Sequence, residues 1–356
     1  MRQPDLWFSD GSIVLRAENR MFRVHVSQLS RHSGVFSDML SMPQPTSPSD
    51  DGPGQVDRIE GCPVLLLHDK AEDVMHLLRA LYDGPTFSDN GREDFNAVSG
   101  ILRLANKYEI DKLRCQALDH LSIAWTTTLK NWDAREDLAR MYELESGMQQ
   151  GFRYPSPIAV INLAREVDAP ELLPSAFYDL SRYPYSQIFG ASAGDDEQDP
   201  LAAGASRGGT LSHSDIQNFT LGKEAASHAV TWLIQSMAHG THRESRHLSA
   251  EGAPAFSYGY SHAETHKRRR SAGLVCTSVS ACRKDFAELV ELATQHYLFD
   301  RERGCADPLY VAEELGQLKG ADFSECRACA RSLETWAARE REKMWKLIPA
   351  WFRLAS

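Results

Sequence analysis

The chain has 356 residues, of which 42% are hydrophobic and 25% charged, and its formal net charge at pH 7 is −10. This composition is typical of a globular protein, and it excludes a disordered, collagen-like or fibrous chain. Acidic residues outnumber basic ones both before and after residue 125, so neither part has the basic surface that binds nucleic acid.

The sequence also indicates the cellular compartment of the protein. No segment approaches the roughly eighteen consecutive apolar residues of a membrane-spanning helix, so we expect no contact with a membrane. The first residues lack the apolar core of a secretory signal, which predicts an intracellular protein, in the cytoplasm or the nucleus. The seven cysteines are an odd number in such a chain. They are therefore predicted to be reduced thiols or metal ligands rather than disulfides.

The first elements are a hairpin and two short helices. Apolar and polar residues alternate over 13–17 and again over 22–25, with a polar turn at 18–20, which predicts a β-hairpin. The apolar spacing then becomes helical and predicts two short helices that meet near Ser33 and end before Pro43.

A strand and three longer helices follow. The apolar run at 62–68 predicts a buried strand, and the spacing over 71–82 predicts a helix with one apolar face. Two further helical faces run through 95–105 and 110–121. Together these elements predict an α+β domain over residues 1–125, which is an ordinary domain size.

After Trp125 the chain predicts mainly helices, each with a single apolar face that needs a neighbour. The last helix is predicted to end at Pro349. The expected order is a helical region at 126–190, a linker at 191–211, a helix at 212–239, a basic and His-rich loop at 240–275 and a C-terminal helical region at 276–356.

A resemblance to a known family lies in the first domain. Asp5 precedes the hairpin, Phe22-Arg23-Val24-His25 ends it, and Leu77-Leu78-Arg79-Ala80-Leu81-Tyr82 and Leu104-Ala105-Asn106-Lys107-Tyr108 follow on helices. In this order and spacing, residues 1–125 resemble the BTB/POZ domain. The whole chain resembles a fungal group of BTB-domain proteins that have a helical C-terminal half.

The resemblance implies a fold and a class of function. The expected fold is an α+β BTB/POZ domain followed by a mostly α-helical C-terminal region. The expected function is non-enzymatic: the domain would bind a protein partner or a second copy of itself, and no catalytic residues are implied. One alternative is a substrate adaptor that binds a cullin ubiquitin ligase through Phe36, Met39 and Leu40. Asp5 and His25 are expected to form a buried, hydrogen-bonded polar pair.

Four cysteines form a candidate metal site. Cys326 and Cys329 form a CxxC motif, and Cys276 and Cys282 form a second pair upstream, so four thiolates could surround one zinc ion. The alternative is four unligated thiols in a reducing compartment. A structural zinc would fit a further hypothesis, a transcriptional regulator.

Three other short motifs carry less weight. Ser192 lies in a GxSxG pattern, but an acidic stretch follows it instead of a helix, so no nucleophile elbow is expected. His262 and His266 are four residues apart, but Glu264 between them is at the wrong spacing for the HExxH motif of zinc proteases, so a solvated loop is expected. The cationic run Lys267-Arg268-Arg269-Arg270 predicts either a solvated loop or a nuclear import signal.

Overall fold

The structure is a computed structural model that describes residues 1–42, 58–148, 151–189, 210–238, 276, 278–299, 306–317 and 326–354. These residues form two compact units. The first unit comprises Met1–Ala176 and Tyr185–Leu211, and the second comprises Phe177–Pro184 and Ser212–Ser356. Among the described helices, none combines the length and the apolar character that crossing a bilayer requires.

The first unit contains a small mixed sheet. The predicted hairpin is confirmed, because β2 and β3 are antiparallel with Ile13 opposite Val24, and Glu18 has the positive φ that suits the turn. Strand β5 lies parallel to β2, and β1 lies parallel to β3. The sheet order is β1-β3-β2-β5-β4, with β1 at Arg2–Trp7, β2 at Ile13–Ala17, β3 at Arg20–Val24, β4 at Arg58–Ile59 and β5 at Cys62–Leu67.

Five helices pack with this sheet around one core. The predicted break near Ser33 is confirmed, since the Ser33 side chain caps α2 by accepting a hydrogen bond from the Phe36 amide at 3.0 Å. Core residues such as Phe22, Leu78 and Ala105 are almost fully buried. The helices are α1 at Val26–His32, α2 at Gly34–Ser41, α3 at Ala71–Tyr82, α4 at Arg92–Lys107 and α5 at Asp111–Ala124.

The first unit continues with helices beyond this core. Helix α6 begins at a Thr128 cap and ends at Gly147, whose φ of 67° is the usual left-handed stop. Arg114 on α5 donates hydrogen bonds to the carbonyls of Val167 and Asp168, which ties the later helices to the earlier ones. The elements are α6 at Leu129–Ser146, α7 at Pro157–Glu166, a 3₁₀ turn at Pro170–Leu172, α8 at Leu173–Ser181, which belongs to the second unit from Phe177 onward, and α9 at Tyr185–Phe189.

The second unit is built from helices in the part of it that the structure describes. Helix α13 does not end at Pro349 as predicted but runs on to Trp351, because a proline in the last turn removes only one hydrogen bond. The helices are α10 at His213–Ala238, α11 at Val279–Thr294 with a π-helical turn at Gln295–Phe299, α12 at Pro308–Gln317 and α13 at Arg327–Trp351.

A buried polar network holds residues 177–184 against α12. The Tyr178 hydroxyl donates to Asp307 Oδ1 at 2.7 Å and accepts from the Leu309 amide at 3.1 Å. Arg182 lies between Asp179 and Asp307, with Nη1 at 3.3 Å from the Asp307 carboxylate. The charged groups are thus paired in the interior, as burial requires.

Candidate functional site

Asp5 and His25 do not form the predicted buried pair. Asp5 is exposed on β1 and its carboxylate lies 3.1 Å from Arg79. The Tyr82 hydroxyl accepts from the His25 amide at 2.9 Å and lies 2.8 Å from His25 Nδ1, while His25 Nε2 lies 3.2 Å from Asp10. The prediction was wrong because β1 is an edge strand, whereas His25 follows β3 and faces the end of α3.

The predicted docking residues on α2 are only partly at the surface. Phe36 is 1% exposed, and its ring stacks on Tyr108 with the centroids 4.3 Å apart. It is therefore a core residue, and the prediction that it belongs to an interaction surface is wrong. Met39 and Leu40 are half-buried against the same core, and Met42 at the end of the helix is 64% exposed.

Helix α6 carries an apolar surface that the sequence analysis did not identify. Leu138, Met141 and Leu144 are exposed, and Leu144 is 85% exposed. Their three-residue spacing places them on one side of the helix, which we call the α6 outer face. Contiguous apolar side chains in water mark interaction sites in many proteins. The apolar spacing was visible in the sequence, but the side of the helix that would be buried was not.

The opposite side of α6 buries a charged pair. The guanidinium of Arg135 lies 4.8, 4.6 and 4.4 Å from the ring centroids of Trp125, Trp132 and Tyr154. Arg135 Nη1 also lies 2.7 Å from Glu136 Oε1. Cation–π contacts and the ion pair together compensate the loss of water around the charges. The inner side of α6 is therefore anchored by these groups and the outer face stays exposed.

A small polar cavity of about 130 Å³ lies between α3, α4 and α7. Asp73 lies there 3.6 Å from Arg103, which also contacts Glu166 at 2.7 Å. Burial raises the pKa of the Asp73 carboxyl, although the Arg103 guanidinium acts in the opposite direction. The Ser99 hydroxyl in the same cavity donates to the Asn96 carbonyl. These contacts are those of a structural ion-pair cluster rather than of a nucleophile beside a base.

The structure brings the four predicted metal ligands together. The sulfur atoms of Cys276, Cys282, Cys326 and Cys329 all lie within 4.8 Å of one another. The Cys276 sulfur is 3.6 Å from that of Cys282 and 3.8 Å from that of Cys329. Cys276 is half-buried and the other three are buried. Burial, followed by hydrogen bonds among the thiols, raises the pKa of Cys282 and of Cys329.

Helix starts position these thiols. Ser278 caps α11, which places Cys282 in its first turn. Cys326 is the residue that precedes α13, and Cys329 lies in the first turn of that helix.

Ser192, His262, His266 and the cationic run at 267–270 lie outside the described residues.

Comparison with known proteins identifies the first domain. A family model of the BTB/POZ domain matches residues 7–122, about a third of the chain. The comparison with curated proteins found no match, so the likeness to a fungal group stays a prediction. BTB/POZ domains belong to a family of protein-interaction modules and not to an enzyme family, and the match supports protein binding in general. With this domain in its first unit, the chain is a BTB/POZ domain-containing protein.

Proposed function

We propose that this chain is a non-enzymatic, intracellular docking protein, and that the α6 outer face contributes to binding of a partner protein or of a second copy of the chain. The observation that carries the proposal is the exposure of Leu138, Met141 and Leu144 on one side of a helix that follows the BTB/POZ domain directly. The BTB/POZ match supports the class of function, and the exposed face suggests where binding occurs.

The outer face has the composition of an interface. The centres of protein interfaces are apolar and rich in Met and large side chains, and their rims are polar. Here the apolar residues are flanked by the exposed carboxylates of Asp137 and Glu145. A partner with a complementary apolar strip and basic residues at its edge would therefore fit this face.

The test uses the full chain and substitutions at exposed positions. Met141→Glu and Leu144→Glu place charges on the outer face without touching the core, so folding should be unchanged. Leu347→Glu is the matched control, because Leu347 is also an exposed apolar residue on a long helix, α13. We expect the two α6 variants to lose a partner identified by cross-linking and mass spectrometry, or to lose self-association measured by light scattering. Unchanged binding in both α6 variants would refute the role of this face.

A cullin adaptor is a second candidate function. Met39, Leu40 and Met42 offer apolar surface at the end of α2. Binding to a purified cullin tests this candidate, with Met42→Asp as the perturbing variant and Leu347→Glu as the control. Phe36 is unsuitable for the test because its replacement would open the core.

The transcriptional-regulator hypothesis depends in part on residues 267–270, which lie outside the described residues. Localisation of a tagged full chain, compared with a chain in which Lys267, Arg268, Arg269 and Arg270 are all replaced by alanine, tests the import signal. Nuclear accumulation that is lost in the variant would favour this hypothesis over a purely cytoplasmic docking role.

A further inference from the structure

We propose that Cys276, Cys282, Cys326 and Cys329 bind one zinc ion as a closed tetrathiolate site in the second unit. This inference is independent of the docking role proposed above. It assigns a structural metal to a part of the chain outside the BTB/POZ match.

The sulfur positions fit a tetrahedral site. Zinc–sulfur bonds of about 2.3 Å in a tetrahedron place the sulfur atoms about 3.8 Å from one another. The Cys276 sulfur lies 3.6 Å from that of Cys282 and 3.8 Å from that of Cys329, and no separation in the cluster exceeds 4.8 Å. A disulfide requires about 2.05 Å between the sulfur atoms, so these contacts are not those of disulfide bonds.

The ligand type points to zinc and to a structural role. Four thiolates form a soft donor set, which binds zinc in preference to magnesium or calcium. Four protein ligands also fill the tetrahedron and leave no position for water or substrate, as in structural zinc sites. Each thiol releases its proton to solvent when its sulfur binds the ion, so zinc and four thiolates carry a net charge of −2.

The surroundings are suited to that negative charge. Cys282 and Cys329 lie in the first turns of α11 and α13, where the backbone amides give the helix a partial positive charge. Arg283 and Arg327, both exposed, follow two of the ligands in the sequence and add positive charge nearby.

The site would join two helices that are distant in sequence. Both α11 and α13 pack against α10, and the ligands on them are more than forty positions apart. A bound ion would hold the two helix starts side by side on α10. Metal binding then contributes directly to folding of this unit, as it does in other structural zinc sites.

The first experiment measures metal content. The full chain is purified under reducing conditions without added metal, and its zinc content is determined by elemental mass spectrometry. We expect about one zinc per chain, a loss of most of it in Cys282→Ser and in Cys329→Ser, and full retention in Cys115→Ser. Cys115 is the matched control because it is an exposed thiol on α5, outside the cluster. Retention of zinc in both cluster variants would overturn the proposal.

The second experiment needs no variant and therefore remains decisive if the cluster variants do not fold. Metal-free wild-type chain is titrated with Co²⁺, and we expect a strong thiolate-to-cobalt charge-transfer band together with visible bands of tetrahedral cobalt. Removal of the metal should also speed amide exchange in the first turns of α11 and α13 while leaving α3 unchanged. A reduced chain that binds neither Zn²⁺ nor Co²⁺, or whose cluster is found as disulfides, refutes the site.

Discussion

Replacement of Gly222 by alanine tests how tightly the second unit is packed. Gly222 lies inside α10, where alanine favours the helix by about 1 kcal/mol over glycine. A Cβ atom at this position would lie only 1.9 Å from Cδ1 of Phe352. The ring would have to retreat by about 1.6 Å to restore an ordinary carbon–carbon contact of about 3.5 Å.

The ring has no room for this movement. Phe352 is fully buried and its ring packs against Phe177, with the centroids 5.4 Å apart. Overpacking of this kind costs about 1–3 kcal/mol, which exceeds the gain in helix propensity. Because the overlap at 1.9 Å is severe, the cost should lie at about 2–3 kcal/mol, and after the helix gain of about 1 kcal/mol we expect Gly222→Ala to reduce local stability by about 1–2 kcal/mol. Gly34→Ala should have the opposite effect, about 0.5 kcal/mol of stabilisation, because no atom lies within 4 Å of a Cβ there.

The assay must report on the affected helices, because a chain with two compact units need not unfold in one step. Amide exchange followed by mass spectrometry on peptides from α10 and the end of α13 gives the local opening free energy. In a double-mutant cycle, Phe352→Leu should recover at least about 0.5 kcal/mol in the Gly222→Ala background. If the stability effects of Gly222→Ala and Phe352→Leu were additive, or if Gly222→Ala stabilised the unit, the argument that the Phe352 ring leaves no room for a Cβ atom would be refuted.

Tyr178→Phe should destabilise the second unit by about 1–3 kcal/mol in denaturant unfolding, because Asp307 loses a buried donor. Arg135→Met should destabilise the first unit by about 3 kcal/mol, because it removes the cation beside the buried Glu136 carboxylate, and the shift in thermal unfolding measures this loss. The Asp73→Asn variant tests whether the pKa of the buried Asp73 carboxyl is raised. Burial raises the folded pKa of Asp73 above its unfolded value, so this group makes stability fall as the pH rises between the two values. Chemical unfolding at about pH 4 and about pH 7 should show the Asp73→Asn variant gaining stability relative to the wild type as the pH rises.

Each of these expectations has a discriminating control. Adding Glu136→Gln to the Arg135→Met chain should restore part of the lost stability, because it removes the unbalanced buried charge. No recovery would show that the loss comes from the aromatic contacts alone. A Tyr178→Phe chain as stable as the wild type would contradict the assigned hydrogen bonds. A stability advantage of the Asp73→Asn variant that shrinks as the pH rises would contradict the raised pKa.

Local sequence patterns correctly predicted those helices and strands whose conformation is determined mainly by their own residues. The helix over 71–82 was predicted with its correct bounds, because its apolar spacing is regular and Gly84, with a φ of 86°, follows its end. Strand β1 was missed, since Arg2–Trp7 contains Pro4 and lacks alternation, and its pairing depends on β3 further along the chain.

The candidate sites were harder to predict from the sequence, because they depend on contacts between residues that are far apart in the chain. The sequence correctly placed Phe36 on a helix. Whether its side chain is buried or exposed depends on packing against Tyr108, which is remote in sequence. The CxxC at Cys326 and Cys329 is a local motif, whereas its approach to Cys276 and Cys282 requires α11 and α13 to pack on the same helix. Sequence spacing can propose such a set of ligands, but only tertiary packing brings the sulfur atoms within bonding range of one ion.

The α6 outer face follows from the geometry of its own helix. Large side chains recur at every third position from Leu129 through Trp132 and Arg135 to Leu144. Because an α-helix turns by about 100° per residue, a row of this spacing shifts around the helix by about 60° at each step. The first members therefore face the core and the last, including Met141, face water. Trp132 and the aromatic side chains around Arg135 fix the rotation of the helix, so the exposed apolar residues cannot turn inward. Binding of the partner proposed above would remove them from water.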